Sequence, residues 1–178
     1  NGPKGIGFLY AKTGVRLSPL FYGGEQERKR RAGTENVPAI AGFKEAIAIS
    51  QSSLEERQKE LLLLKQTLLS QLEEEGISFH VNGSTENSLP HIINISFPGT
   101  DVEAMLVNLD LAGIAASSGS ACTAGSIDPS HVLVSMFGSD SERLRNSIRF
   151  SFGLYNTKEE MVTVGKETAK IVRRLTNR

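Results

Sequence analysis

The chain has 178 residues, 39% of them hydrophobic, with twenty basic side chains, twenty acidic ones and a single cysteine. That length can bury a sizeable core as one large or two small domains, and a net charge of zero gives no general attraction to nucleic acid or to an anionic membrane. One cysteine cannot close an internal disulfide, and no apolar run approaches the roughly twenty residues of a membrane span, so a reducing, cytoplasmic compartment is the expected setting.

The chain opens on "NGPKGIGFLYAKTG" without an initiator methionine. Ile6 to Tyr10 read as a short strand entered through a Gly-Pro turn. A strand with no preceding element exposes both edges, which folded proteins avoid, so the expectation is a longer protein whose upstream region covers it. Next comes "YGGEQERKRRAGTENVPAI", Tyr22 to Ile40. Gly23-Gly24 opens backbone conformations closed to other residues, four basic residues follow at 28–31, and Gly33-Thr34 precedes a helical pattern. A threonine hydroxyl with free backbone N–H groups beside a helix start can hold a phosphate, with arginine supplying charge. A solvated basic loop with an ordinary cap at Thr34 or Asn36 accounts for the same residues.

From Val37 to about Glu75 the apolar residues fall mostly at helical intervals, giving one long helix or two broken near Ser50–Ser53, with Gly76 ending the run. "ISFHVNGS" and "HIINISFPG" read as strands, because apolar and β-branched residues alternate between turn formers. Asp101 caps a helix through Leu111, Ile114 to Ser117 is strand-like, Pro129 to Phe137 forms a helix, and Ser147 to Phe152 another strand. Thr157-Lys-Glu-Glu supplies a capping box for a final helix through Leu175. Residues 36–178 therefore read as an α+β unit with helices over a small sheet, and residues 1–35 as a remnant of a larger domain.

The only thiol, Cys122, sits in "SSGSACTAGSIDPSHVL", between the Ile114–Ser117 strand and the Pro129 helix. A buried structural cysteine is the ordinary reading of a lone thiol. Here the neighbours are small residues with no apolar periodicity, which suits a thiol that must be reached by a partner.

This block resembles the active-cysteine loop of the NifS-like cysteine desulfurases, pyridoxal 5′-phosphate-dependent enzymes of the fold type I, aminotransferase class V family. Three further blocks agree in order and spacing: "NGPKGIGFLY", "GGEQERKRRAGTEN" and "SIRFSFGLYNT". The resemblance implies an α/β fold, in which this chain is the end of the large domain followed by the small domain. It implies that sulfur is removed from L-cysteine, leaving L-alanine and a persulfide on Cys122. It further implies that Arg149 binds the substrate carboxylate, and that Thr34 reaches the cofactor phosphate of the other subunit of a homodimer. The sulfur acceptor would be an iron–sulfur scaffold or a tRNA-thiolation enzyme. The family's Schiff-base lysine falls just before the "NGPKG" block and is distinct from Lys4, so the chain by itself is expected to be inactive. No metal site is expected. Two other classes fit the residues without the resemblance: an interaction module in which Cys122 is incidental, and a sulfur relay or redox protein working without a cofactor.

Overall fold

The computed structural model describes residues 2–118 and 129–176. Cys122 lies outside the described residues. The chain divides into two compact units, Asn1–Glu55 and Glu56–Arg178.

The first unit holds α1 (Gln26–Lys29) and α2 (Val37–Ser52). Asn36 caps α2 by accepting from the Ala39 amide at 3.1 Å, and Pro38 occupies the first turn, where its missing N–H costs nothing. The helix lies against the N-terminal segment: a Cβ on Gly42 would stand 3.4 Å from Pro3, and the Phe8 and Phe43 rings are 5.9 Å apart. The expected strand at Ile6–Tyr10 is not formed. A strand needs a partner ladder, and no described residue supplies one. Phe8, Leu9 and Tyr10 remain 77–79% exposed.

The second unit is built on an antiparallel sheet of β1 (His80–Val81), β2 (Ile92–Ser96) and β3 (Ser147–Ser151), with β2 central. Around it run α3 (Leu54–Glu74), α4 (Val102–Leu111), α5 (His131–Phe137), α6 (Arg143–Asn146) and α7 (Lys158–Thr176). The break between α2 and α3 falls at Ser53, where its hydroxyl turns back to the Ile49 carbonyl at 2.8 Å. Gly76 closes α3 at φ +66°, a left-handed conformation that a Cβ disfavours, with its N–H on the Glu73 carbonyl. Asp101 caps α4 through the Glu103 and Ala104 amides, both at 3.0 Å. Thr157 and Glu160 exchange the two bonds of a capping box at the start of α7, and hydrogen bonds from the Asn156 side-chain amide and the Thr157 backbone N–H hold the Glu160 carboxyl below its ordinary pKa.

Strand β2 alternates. Ile93 and Ile95 enter the core, paired in register with Phe150 and Ile148 of β3, while Asn94 and Ser96 face the other way, paired with Arg149 and Ser147. Leu64, Leu68 and Leu72 of α3, Met105 and Leu109 of α4, and Met161, Ile171 and Val172 of α7 complete the core. Each such side chain contributes about 1.5–3 kcal/mol by leaving water. The two shortened strands share a cause. "ISFHVNGS" pairs only at His80–Val81, and the strand-like Ile114–Ser117 contributes one bridge, Ser117 to Arg149. Both lie at the sheet's edges, and only the residues that reach a neighbour's backbone count as strand.

Candidate active site

Arg149 occupies the middle of β3 and is held on both sides. It stands directly opposite Asn94 on β2, and its backbone exchanges bonds with Ser117, N–H to carbonyl at 2.6 Å and the return bond at 3.2 Å. Ser117 leads into the cysteine segment, so the strand that presents Arg149 also fixes the point from which that segment departs. Cys122 follows Ser117 by five positions in the chain.

The Arg149 side chain lines a cleft of about 440 Å³ between α3, the β1–β2 connection, α5 and the polar face of the sheet. Its Nε is buried and has no hydrogen-bond partner among the described residues. Lys65 and His131 line the same cleft, and none of its described lining residues is acidic. Lys65 is buried on α3, donating to Ser88 Oγ at 3.0 Å and to the Leu89 carbonyl at 2.6 Å. Both acceptors are neutral, so burial pushes the ammonium pKa below its ordinary value of 10.5. Apolar walls from Leu62, Leu69, Val132 and Met136 complete the cleft. A cleft that combines cationic and donor groups with apolar walls suits a small anionic molecule with a short apolar part.

Thr34 lies in the first unit, exposed, two residues before the Asn36 cap. Gln26 Oε1 accepts from the Gly33 amide at 3.1 Å, which draws the basic turn against the Gly33-Thr34 step. Glu27, Arg28 and Lys29 of that turn all take positive φ, from 49° to 64°, a conformation costing non-glycine residues about 1–2 kcal/mol each. Arg31 stacks over Phe21 at 4.5 Å and donates to the Ala32 carbonyl. The Thr34 hydroxyl and the Thr34, Glu35 and Asn36 amides donate to no protein group among the described residues. That donor set fits the phosphate of pyridoxal phosphate. Lys4 is exposed within its turn.

Asn82, Asn94, Lys65 and Arg143 were not singled out from sequence. Asn94 carries a signal in "HIINISF", where the strand alternation gives it to the face away from the core. Lys65 carries another, as a charge inside the leucine stripe of α3.

An α+β unit thus presents an arginine from the middle of β3 to a donor-rich cleft, next to the departure point of the segment that carries the thiol, an arrangement suited to a small anion. The aminotransferase class-V family model matches residues 1–164, and the chain belongs to that family. A protein of Bacillus subtilis (strain 168) that bears an IscS name is 59% identical over 176 residues, covering 99% of this chain and 46% of its own length. Cysteine desulfurase IscS of Methanosarcina thermophila is 42% identical over 180 residues, with 99% and 43% covered. Among solved structures, a NifS-like protein superposes with a TM-score of 0.78 at 34% identity, covering 97% of this chain and 44% of that one. The fold is thus that of the C-terminal part of a fold type I enzyme, as the sequence resemblance implied. The chain spans less than half the length of these relatives.

Proposed function

We propose that the full-length protein is a cysteine desulfurase that takes sulfur from L-cysteine onto Cys122 and releases L-alanine. The observation that supports it most directly is Arg149, whose buried Nε lacks a partner among the described residues, in a cleft whose described lining has no acidic residue. A substrate carboxylate would supply the missing acceptor and receive two parallel N–H bonds from the planar guanidinium. Pyridoxal phosphate, when bound, supplies the electron sink that weakens the bond between the substrate's Cβ and sulfur. The residues of this chain do the rest. Thr34 and the amides beside it hold the phosphate, from the neighbouring subunit of a homodimer. Arg149 orients the substrate, and Cys122 as thiolate attacks the substrate sulfur, forming the S–S bond of a persulfide as the carbon–sulfur bond breaks. Residues 1–35 belong to the large domain and residues 36–178 to the small one, and the chain alone is inactive without the Schiff-base lysine upstream. The protein works in the cytoplasm and passes its persulfide sulfur to an iron–sulfur scaffold or a tRNA-thiolation enzyme. No helix among the described residues is long and apolar enough to cross a membrane.

Cys122→Ser in the full-length protein tests the proposal. Sulfide release from L-cysteine is expected to be lost while cofactor content and L-cysteine binding persist. Wild-type turnover by the serine variant would remove Cys122 from the reaction.

A further inference from the structure

The polar face of the sheet carries a chain of side chains whose orientations follow from one another. Arg143 on α6 sits over the Phe137 ring at 4.6 Å and donates from Nη1 to Asn82 Oδ1 at 3.0 Å. A guanidinium can only donate, so the oxygen of the Asn82 amide must be the end that faces it. The Asn82 NH₂ then points the other way. It donates to Asn94 Oδ1 at 2.6 Å and to Ser147 Oγ at 2.8 Å. Ser147 is itself committed, donating from Oγ to the Arg143 carbonyl at 2.5 Å, so it can only accept from Asn82. Asn82 is also fixed by its backbone, whose N–H donates to the Asn94 carbonyl at 2.8 Å.

The consequence falls on Asn94. Its oxygen is taken by Asn82, so the free end of its amide is Nδ2, a donor, which makes no hydrogen bond to the protein among the described residues. Asn94 lines the cleft and stands opposite Arg149 on the same face of the sheet. Had Asn82 been turned, Asn94 would offer an oxygen beside the guanidinium, and a carboxylate would meet a repulsive lone pair.

We infer that Asn94 Nδ2 is a second donor to the substrate carboxylate beside Arg149, and that Arg143 and Asn82 are positioning residues that set which end of the Asn94 amide faces the cleft. This assignment rests on the desulfurase reading above and deepens it. A carboxylate has two oxygens and more acceptor positions than one guanidinium edge uses, so Asn94 adds selection for the acid over an amine–thiol lacking it.

The test uses the full-length holoenzyme, with sulfide release from L-cysteine and calorimetric binding of L-alanine as separate measurements. Loss of a hydrogen bond to a charged group is expected to raise the KM for L-cysteine and the Kd for L-alanine by about tenfold or more in Asn94→Ala, with kcat little changed. Asn94→Asp, of the same shape, places a negative charge against the carboxylate and raises both constants further. Asn82→Asp still accepts from Arg143 but cannot donate to Asn94, which turns its amide and presents oxygen. Its effect should equal or exceed that of Asn94→Ala, and the part that acts through Asn94 should disappear in the Asn94→Ala background, because the two residues share one bond. Competitive inhibition by cysteamine, which lacks the carboxylate, should stay constant across the series. If Arg149→Ala raises KM while Asn94→Ala and Asn94→Asp leave KM and Kd unchanged, Asn94 does not touch the substrate. Full additivity of Asn82→Asp with Asn94→Ala overturns the positioning role. A wild-type protein that releases no sulfide from L-cysteine overturns the desulfurase reading and, with it, this assignment.

Discussion

Replacing Arg149 by methionine should make the protein more stable and less able to bind its substrate, two effects of opposite sign from one change. The stability gain comes from Nε, buried with no partner among the described residues. Leaving a buried donor unsatisfied costs about 1–3 kcal/mol. Because the residue as a whole is only half-buried, the lower end applies, about 1 kcal/mol, after discounting for solvent at the outer nitrogens. Methionine keeps the aliphatic stem and its packing against the sheet, and no ion pair is lost, since Arg149 has none among the described residues. For a chain of this size that gain raises the melting temperature by about 2–4 °C. The loss comes from the substrate: removing a charge-assisted pair to a carboxylate costs on the order of 1.5–3 kcal/mol, which raises KM for L-cysteine roughly ten- to a hundred-fold. Melting of the 178-residue chain followed by circular dichroism measures the first effect, and steady-state sulfide release by the full-length enzyme the second. Arg149→Lys should restore little of the KM, because an ammonium cannot reproduce the two-pronged geometry. A methionine variant that melts below the wild type while keeping the wild-type KM would refute the reasoning, since Arg149 would then be a structural residue with a partner.

Gly165→Ala should destabilise the protein despite better helix propensity. An added Cβ would stand 2.6 Å from Gln71 Cγ and 2.7 Å from its Cβ, and overpacking of about 1–3 kcal/mol exceeds the roughly 1 kcal/mol gained from propensity; a variant melting above the wild type would contradict it. Lys65 should make stability pH-dependent: burial lowers its folded pKa below 10.5, so between the two values the unfolded chain binds more protons, and stability rises with pH across that window. Lys65→Met should flatten that rise in urea titrations, and an unchanged slope would assign it to other groups. Mixing subunits carrying Thr34→Ala with subunits lacking the Schiff-base lysine should regenerate activity in exchanged heterodimers, since one site then has both the lysine and the neighbour's Thr34. No recovery under verified exchange would place Thr34 in its own subunit's site.

Elements whose signals are local are legible in the sequence itself. The Asn36 cap, the break near Ser53, the Gly76 stop, the Asp101 cap and the Thr157–Glu160 box each act within a turn of the chain, so the helices they bound appear where the residues place them. Strands follow a different rule. Ile6–Tyr10 and Ile114–Ser117 have the composition of strands, yet composition does not create a neighbour. The first finds none among the described residues, and the second finds Arg149 at a single position. The α1 turn and α6 escape a sequence reading because four-residue turns carry too little periodicity to register.

The candidate site divides along the same line. Thr34, Cys122 and Arg149 are proposed from blocks whose order and spacing resemble a family, whereas the relay from Arg143 through Asn82 to Asn94 joins residues 61 and 12 positions apart. No window of sequence contains such a relay. What the sequence does contain is its precondition, the alternation in "HIINISF" against "SIRFS". Ile93 and Ile95 must pair with Phe150 and Ile148 to close the core, and that register forces Asn94 opposite Arg149 and Ser96 opposite Ser147 on the other face. A slip of one residue would turn Arg149 into the core and Ile148 or Phe150 into the cleft. The pairing of Asn94 with Arg149 is therefore enforced by the hydrophobic side chains that close the core behind the sheet.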